Sequence, residues 1–584
     1  MKVNKKCTLR GVFLLTNVKC YAKMEGVTTI IQGDTIMKKL LILILALCMV
    51  LPLASCDDGK KPSGEDNKPM TVKTWTLHSF EKTIVNVAPK GNLKTDYTVY
   101  LSKGETEGCQ LAIRSDTEIK NVTFSLKSGE TEHIKTAMFS MNETHNISRK
   151  YYTDSLIPYY GKRLTLEKNT TLLFMVDFTT DENTPAGDHE YVYEIKDKEG
   201  NVLATYNVTV HVWDFELPKD KTFATAVGLH KPFISNNKGV YEDWYNTVLE
   251  HNMSAYDLPY DILDEKANAY MSDPRVTSFM VTVPMNEDKT KIDETKLLAI
   301  YNKLLTNEEW LEKAFFYPID EPKNQEELNE LKEMEKKLTQ LCPRIEICAP
   351  FYTNVQLGEN RDQTDEMEAY TDLWCPKLCL WDDARSYGDF LDYQPAKSFE
   401  QRMNEQIEKG DRMWTYVCND PDDPYAQMFI DTEGVNQRLM FWQIYQRDIE
   451  GFLYWSVSFY GFKEGGNPWL DNPDAIGTMQ NPWETTNTKI TNGQGKTIYG
   501  CGFLFYPGIQ VGYGGAVPSI RAKIVRDGVD DIEMFYLAEK HLDKEWLKAK
   551  TVEGTPSLTE FTSNDKFASL RIEIGNALEA ALKK

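Results

Sequence analysis

Histidine is scarce in the sequence, and its eight residues are scattered over 584 positions. No HxH or HExxH pattern occurs, so no local pair of imidazoles is spaced to bind one metal ion. A Gly-rich phosphate-binding loop is also missing. We therefore expect no metal and no cofactor. A metal-dependent hydrolase would require distant histidines to converge in the fold.

Lysine and arginine together are also fewer than aspartate and glutamate. The formal net charge is −22, whereas nucleic-acid affinity comes largely from clustered lysine and arginine. The sequence therefore predicts no nucleic-acid partner.

The 12 tryptophans and 30 tyrosines are numerous enough that many must lie at surfaces or in clefts, where one polar edge suits such rings.

The cysteines form no zinc-like arrangement. Cys375 and Cys379 lie close together, but no second pair of Cys or His occurs at a suitable spacing. Buried free thiols are therefore the expectation for the cysteines after residue 56.

An apolar run near the N-terminus is too short to span a membrane comfortably. Residues 40–53 follow Met37 and two lysines, which is the shape of a signal peptide. The sequence LASC at 53–56 resembles a bacterial lipobox, which implies cleavage before Cys56 and lipidation of its thiol. We expect a non-native extension over 1–36, a signal peptide over 37–55 and a linker over 56–70.

A lipid anchor at Cys56 would place the protein in the cell envelope of a Gram-negative bacterium, with the outer membrane as the expected location. Asp57 and Asp58 resemble surface-export signals of some lipoproteins. A short acidic linker explains these two residues equally well.

Residues 71–218 read as an antiparallel β-sandwich. Short alternating runs, separated by turn residues, predict strands at 97–101, 109–114, 122–127, 171–178, 190–195 and 202–213. Long helical patterns are missing between them, as is typical of two packed sheets.

Residues 219–545 change to a strand–helix alternation. Eight strands are predicted, at 223–229, 255–259, 277–283, 314–319, 345–350, 373–375, 413–418 and 452–457, with helices at 242–250, 294–305, 325–341, 399–409 and 435–448. Eight such units predict a (β/α)8 TIM-type barrel, and an open doubly wound sheet is the alternative. Helices at 518–541 and 566–582 are expected to pack outside, with 546–584 as a C-terminal helical segment.

Asp320 and Glu321 follow the fourth predicted strand directly. Reactive groups of such barrels lie at the carboxyl ends of strands, and two adjacent carboxylates repel, which raises the pKa of at least one. That property suits a general acid. Alternatively, an Asp-Glu pair followed by Pro322 is a common start of a solvated helix.

Neighbouring carboxylates rarely span a sugar in the way that two-carboxylate glycosidases require. A substrate-assisted mechanism removes this difficulty, because the 2-acetamido group of the sugar itself attacks the anomeric carbon. Asp320 would orient that amide, and Glu321 would act as acid and then as base.

The segment YPIDEP at 317–322 resembles glycoside hydrolase family 123, the β-N-acetylgalactosaminidases that use this participation. Further similarity lies in ETEGCQ at 105–110, YYTDSLIP at 151–158, FYPG at 505–508, PSIR at 518–521 and RDGVDD at 526–531. The resemblance implies an exo-acting, retaining enzyme that releases terminal β-linked N-acetylgalactosamine from a glycoconjugate or glycolipid.

Aromatic and amide side chains near the strand ends are candidates for substrate binding. The set comprises Tyr317, Trp374, Tyr416, Asn419, Trp455, Tyr460 and, in the long Gly- and Pro-rich loop after the eighth strand, Trp469. Each aromatic residue alone is at least as well explained as part of the core.

Two other functional classes stay open at this point. The first is a non-catalytic carbohydrate-binding surface lipoprotein, against which the intact Asp320 and Glu321 argue. The second is a barrel glycosidase with ordinary two-carboxylate chemistry, whose second carboxylate could come from Asp257, Asp382, Asp383 or Asp420.

Overall fold

The computed structural model describes most of the chain after residue 70. The described residues are 20–24, 27–31, 70–129, 132–141, 143–230, 238–388, 391–460, 480–484, 489–491 and 495–583. The chain divides into two compact units, residues 1–69 and 70–584. In the first unit, Cys20–Met24 pairs with Val27–Ile31 as an antiparallel hairpin. The predicted signal peptide and Cys56 lie outside the described residues.

Two five-stranded sheets form the N-terminal part of the second unit. The order in one sheet is Ile157–Pro158, Ile134–Met141, Thr171–Thr180, Thr106–Ser115 and Val72–His78, all antiparallel. The order in the other is Leu164–Leu166, Ile119–Ser128, Gly187–Lys196, Val202–Glu216 and Asp96–Lys103. The last two strands of this second sheet are parallel, which the sequence did not predict. In the chain between Ile134–Met141 and Ile157–Pro158, the short strands His145–Ile147 and Lys150–Tyr152 form a separate antiparallel hairpin.

The alternation of apolar residues explains why these strands form. In Val202–Glu216, every second residue from Ala204 to Val212 is buried. These side chains join those of the other sheet in one buried cluster, where the rings of Phe124 and Phe174 lie 4.4 Å apart. The two sheets therefore pack face to face, consistent with the predicted β-sandwich.

All six strands predicted in this region are present, within slightly wider bounds. The strands Val72–His78 and Ile134–Met141 were missed. The burial pattern of Ile134–Met141 does not alternate, so periodicity could not reveal it.

A parallel seven-stranded sheet follows, surrounded by helices. Its order is Ala224–Val227, Gly451–Tyr454, Arg412–Val417, Leu373–Pro376, Glu346–Phe351, Ala314–Phe316 and Phe279–Met280. These seven strands coincide with seven of the eight predicted for the barrel.

The predicted strand over 255–259 is wrong in its extent. Only Ala255 forms an isolated parallel bridge, to Val227. The N–H of Tyr256 donates to Val227 O at 2.8 Å, and the N–H of Met280 donates to Tyr256 O at 2.9 Å. This short segment thus bridges the two edge strands. The sheet is a nearly closed barrel, which argues against the open doubly wound alternative.

Helices connect the strands and cover their outer face. Those of the barrel are Lys238–Leu249, Ala267–Met271, Glu294–Leu304, Glu308–Lys313, Gln325–Leu341, Gln363–Met367, Asp383–Ser386, Phe399–Lys409 and Gly434–Gln446. The C-terminal helices are Ile520–Ala538, Lys544–Gly554 and Asn564–Leu582. Their ends follow local sequence signals: Ser398 and Gln401 form a capping box, and Gly410 ends that helix at φ 104°. Among the described helices, we find none long and apolar enough to cross a membrane.

Small antiparallel pairs complete the described structure. They are Gln356–Gly358 with Arg361–Asp362, Lys489–Thr491 with Thr497–Tyr499, and Phe505–Pro507 with Ala516–Pro518. All seven described cysteines after residue 56 have free thiols, and all but Cys418 are buried, as expected.

A buried ionic network joins the two sheets to the barrel helices. The guanidinium of Arg438 donates to both Asp531 oxygens, at 2.9 and 2.8 Å, and to Glu107 at 2.7 Å. Arg571 donates to Asp531 at 2.7 Å and to Glu105. Although burial alone would raise it, the two guanidinium groups hold the pKa of Asp531 below its usual range.

A second set of ion pairs reinforces this contact. Arg521 binds Asp154 through two bonds, at 2.8 and 2.7 Å, and Arg526 pairs with both Asp527 and Asp177. The long distance in sequence between Asp154 and Arg521 means that these bonds tie the N-terminal region to the C-terminal helices.

We expect Asp531→Asn to destabilise the protein by about 3–5 kcal/mol, because it leaves two buried guanidinium groups without their shared countercharge. Asp565→Asn is the matched control, since the Asp565 side chain is 98% exposed. Urea unfolding followed by tryptophan fluorescence measures both. Equal midpoints for the two variants would contradict the assigned role of Asp531.

Candidate active site

The two adjacent carboxylates lie at the carboxyl end of the barrel strand Ala314–Phe316. The following helix begins only at Gln325, where the side chain of Asn324 accepts the N–H groups of Glu326 and Glu327. Asp320 and Glu321 therefore precede the helix and its cap. The alternative that they form a solvated helix start is wrong.

Backbone geometry separates the environments of the two side chains. Glu321 has φ 44°, in the left-handed region that residues other than glycine rarely adopt. Such conformations cost free energy and cluster at functional sites. Asp320 is exposed, whereas Glu321 is partly buried. One dipeptide thus places two carboxylates in two different surroundings.

A tyrosine hydroxyl donates to each carboxylate. Tyr317 Oη donates to Asp320 Oδ1 at 2.6 Å, and Tyr416 Oη donates to Glu321 Oε1. The ring of Tyr256 meets that of Tyr317 edge-on, with centroids 6.2 Å apart. Both hydroxyl donors fix the orientation of the carboxylate they contact.

Lys377 supplies a buried positive charge beside this pair. Its side chain is 3% exposed, and its Nζ donates to Asp420 Oδ1 at 2.6 Å. The ammonium lies 5.8 Å from the centroid of the Tyr416 ring. Although burial alone would lower it, Asp420 holds the pKa of Lys377 above its usual range, so that the group is cationic.

Burial raises the pKa of the Glu321 carboxyl above its usual range, and the charge of Asp320 adds to the rise. The Tyr416 hydroxyl and the Lys377 ammonium act in the opposite direction. A raised pKa was predicted, but repulsion by the neighbouring carboxylate was expected as its cause. Removal from water is the larger effect. The raised pKa favours a proton on Glu321, and the positive charge of Lys377 limits how far that pKa rises.

Among the residues predicted to bind substrate, Asn419 and Trp455 stay candidates. Both are partly buried; Trp455 directly follows the strand Gly451–Tyr454, and Asn419 is the second residue after the strand Arg412–Val417. The Trp455 ring lies against Phe459, with centroids 5.0 Å apart. A side chain at Gly502, where φ is 83°, would approach the Trp455 ring to 2.4 Å, so glycine is required there.

Two residues predicted to bind substrate are core residues in the structure. Trp374 is fully buried, packs near Phe351 and donates its indole N–H to Asp411 at 3.0 Å. Tyr460 is 5% exposed and donates to Phe505 O at 3.0 Å. Neither presents a ring face to a cleft. Trp469 lies outside the described residues.

Three of the four side chains proposed as a second carboxylate have local structural roles. Asp382 accepts the N–H of Ala384 at 3.0 Å and the hydroxyl of Tyr425. Asp383 accepts the N–H of Phe399 at 2.9 Å. Asp420 neutralises Lys377, and Asp257 lines a separate cavity.

Two residues of the site escaped the sequence reasoning. Lys377 directly follows the strand Leu373–Pro376, two residues after the end of the sixth predicted strand, and that position was the available signal. Tyr256 ends the segment that bridges the barrel edges, which the sequence suggested only as part of a longer strand. In the part of the chain that the structure describes, no cluster of His, Cys, Asp and Glu could hold a metal ion.

Residues 244–538, slightly more than half of the chain, match the family model described as the catalytic domain of glycoside hydrolase 123. The solved structure of a family 123 glycoside hydrolase from Clostridium perfringens has 13% sequence identity and a TM-score of 0.56, covering 88% of this chain and 98% of that one. A β-D-glucuronidase structure from Dictyoglomus thermophilum, 10% identical, covers 72% of this chain and 66% of its own at a TM-score of only 0.27. No curated protein has a significantly similar sequence.

We expect Lys377→Met to raise the pKa of Glu321 further, because the opposing positive charge is lost, and Asp320→Asn to lower it, because a repelling negative charge is lost. Carbon-13 NMR titration of the glutamate carboxyls measures this, with the Glu321 signal assigned by its loss in Glu321→Gln.

Lys397→Met is the matched control, since Lys397 is an exposed lysine paired with Glu405. It should leave the Glu321 titration unchanged. A Glu321 pKa that is identical in Lys377→Met and in the unmodified protein would show that Lys377 does not act on this carboxyl.

Proposed function

Because this chain belongs to glycoside hydrolase family 123 and is a glycoside hydrolase, we propose that it releases terminal β-linked N-acetylgalactosamine with retention of configuration. The 2-acetamido group of the substrate is the nucleophile in this proposal. The single observation that supports it most is that two adjacent carboxylates lie in different environments. Asp320 is exposed and accepts a hydrogen bond from Tyr317, whereas Glu321 is partly buried and has a raised pKa.

In the first step, the acetamido carbonyl oxygen attacks the anomeric carbon while Glu321 gives its proton to the glycosidic oxygen. The bond to the leaving group breaks, and an oxazolinium ring forms. Asp320 accepts the amide N–H, which orients the carbonyl and stabilises the positive charge that develops on the ring. The Tyr317 hydroxyl keeps the Asp320 carboxylate in place.

In the second step, Glu321 is the carboxylate that removes a proton from water. The water oxygen attacks the anomeric carbon from the side that the leaving group vacated, and the ring opens to the acetamido sugar. Tyr416 and Lys377 stabilise this ionised state of Glu321, because a donated hydrogen bond and a nearby cation both favour a carboxylate.

Ordinary two-carboxylate chemistry is less well supported. It needs a second free carboxylate about 5–10 Å from the first. Asp382, Asp383 and Asp420 each have a hydrogen-bond or ion-pair role of their own. Asp257 lines a separate cavity whose wall includes neither Asp320 nor Glu321. A non-catalytic binding protein would have no need for a strained residue at Glu321 that carries a raised pKa.

We also propose that the protein acts as a lipid-anchored enzyme of the Gram-negative cell envelope. The signal-like segment at 37–55 and the lipobox-like sequence before Cys56 support this. A terminal amino sugar on a glycoconjugate or glycolipid would be its substrate. We propose domain boundaries at 71–218 for the β-sandwich, 219–545 for the nearly closed seven-stranded barrel and 546–584 for the C-terminal helical extension.

Nitrophenol release by purified residues 57–584 tests the activity. We expect cleavage of the β-N-acetylgalactosaminide, and none of the β-galactoside, which lacks the acetamido nucleophile, or of the β-N-acetylglucosaminide. On a disaccharide with an unactivated leaving group, Glu321→Gln and Asp320→Asn should each lose about 10²–10⁴-fold in kcat/KM, since each removes a group that acts in the transition state.

Glu326→Gln, in the exposed first turn of the next helix, is the control and should retain full activity. Circular dichroism checks that all variants fold. Cleavage of the plain galactoside would contradict substrate assistance, and unchanged activity in either site variant would remove that residue from the mechanism.

A further inference from the structure

Two large apolar side chains lie almost entirely in solvent. Tyr160 is 85% exposed and Ile509 is 78% exposed, the highest values for large apolar side chains among the residues that the structure describes. Single exposed apolar residues are common on folded proteins, so exposure alone implies little. Their placement is more informative, because these residues are far apart in the sequence and lie on neighbouring loops.

Backbone hydrogen bonding holds the two loops side by side. The N–H of Leu156 donates to Pro518 O at 2.8 Å. Tyr160 lies in the loop that continues from the first of these segments, and Ile509 lies at the tip of the hairpin that ends with the second. Burial raises the pKa of Tyr513 at the same tip, and Tyr160 adds to the rise, so the two phenols are near each other. The two exposed side chains therefore belong to one surface.

Local structure presents both side chains outward. Tyr159 is buried, whereas the next residue, Tyr160, is exposed. Ile509 follows Gly508, whose N–H donates to Gly515 O at 3.0 Å. A side chain at Gly508 would approach that same oxygen to 2.5 Å, so glycine is required to close this turn. The exposed isoleucine is thus held at the tip of a defined turn.

Basic side chains flank the exposed tyrosine. Lys162 and Arg163 are both exposed in its loop, although the chain as a whole has a formal net charge of −22. Asp243 and Glu250 lie near Tyr513 and offset part of this positive charge. The combination of exposed apolar and basic side chains is typical of surfaces that bind anionic lipid headgroups.

The size of the apolar surface argues against a second copy of the chain as its partner. A stable interface buries about 800 Å² on each side, of which one tyrosine supplies about 150–250 Å². One isoleucine cannot supply the rest, and the neighbouring exposed residues Gly161, Gln510 and Gly512 carry no large apolar side chain. A lipid surface needs no such area, because a small apolar insertion acts together with attraction between opposite charges.

We propose that the loops bearing Tyr160 and Ile509 dock on the surface of a lipid bilayer, where Lys162 and Arg163 contact anionic headgroups. Tyrosine suits this position, since its ring lies at the level of the headgroups with its polar edge toward water. The inference does not depend on the proposed reaction. It adds a second membrane contact to the proposed anchor at Cys56, and a second contact fixes how the folded unit is oriented on the membrane.

Co-sedimentation with vesicles tests the apolar contact. The protein used is residues 57–584, which contain the whole compact unit 70–584 and no lipid anchor. We expect it to bind vesicles made of equal parts of phosphatidylcholine and phosphatidylglycerol. The double variant Tyr160→Ser with Ile509→Ser should lower the partition coefficient at least about tenfold, because it removes the side chains that insert.

Leu305→Ser with Val552→Ser is the matched control, because these apolar side chains are 42% and 45% exposed on other elements of the fold. It should bind as the unmodified protein does, and thermal unfolding checks that all variants fold. The proposal is overturned if the unmodified protein does not bind, if the Tyr160 and Ile509 variant binds equally well, or if the control loses as much.

The basic side chains are tested separately. Lys162→Gln with Arg163→Gln should lower binding to the phosphatidylglycerol vesicles about tenfold, since each basic side chain near an anionic surface adds attraction. Added salt should weaken binding of the unmodified protein. Lys198→Gln with Lys336→Gln makes the same change of net charge at other exposed positions and should bind normally. An equal loss in both charge variants would overturn the assignment to this loop.

Sedimentation velocity separates a lipid surface from a second copy as the partner. We expect the same oligomeric state for the unmodified protein and for Tyr160→Ser with Ile509→Ser. A dimer that this double variant dissociates would overturn the proposal and assign the surface to self-association.

Discussion

Asp531 lies fully buried between the guanidinium groups of Arg438 and Arg571. A single buried charge would be expensive, and the network is tolerable only because every charged member has a partner. Arg571 continues to Glu105 in the N-terminal sheets, so the same bonds align those sheets with the barrel helices. Four of the segments whose sequence resembles the family, at 105–110, 151–158, 518–521 and 526–531, contribute residues to this network or to the neighbouring ion pairs. Complementary charge therefore explains why the N-terminal region and the barrel belong together.

The candidate site also depends on the balance between burial and opposite charge. Glu321 loses part of its hydration at the end of a barrel strand, which favours its protonated form. Lys377 and Tyr416 stabilise the ionised form and so offset part of this effect of burial. The proposed role of Glu321, first as acid and then as base, needs both protonation states within reach, and this balance suits it. Asp320, although adjacent, stays exposed, and the backbone of Glu321 is left-handed.

Much of the fold could be predicted from the sequence, because strands with clear periodicity and helices with capping signals carry local information. The carboxylate pair was found in the same way, by its position after a strand. Contacts between distant residues could not be predicted, and Lys377 beside Tyr416 is the main example. Nor does sequence decide which face of a barrel strand is internal. Cys375 packs in one buried cluster with Phe315 and Tyr416, whereas the neighbouring Trp374 belongs to a different cluster. That one-residue difference explains why Trp374 is a core residue.

Participation of the acetamido group is the central claim, and a fluorinated substrate series tests it most directly. Replacing the hydrogens of the N-acetyl methyl group by one, two and three fluorines makes the carbonyl oxygen a progressively weaker nucleophile. If this oxygen attacks the anomeric carbon, kcat/KM for the nitrophenyl glycosides must fall steeply across the series. Values that stay flat would contradict the account and point to an enzymatic carboxylate or a water molecule as the nucleophile.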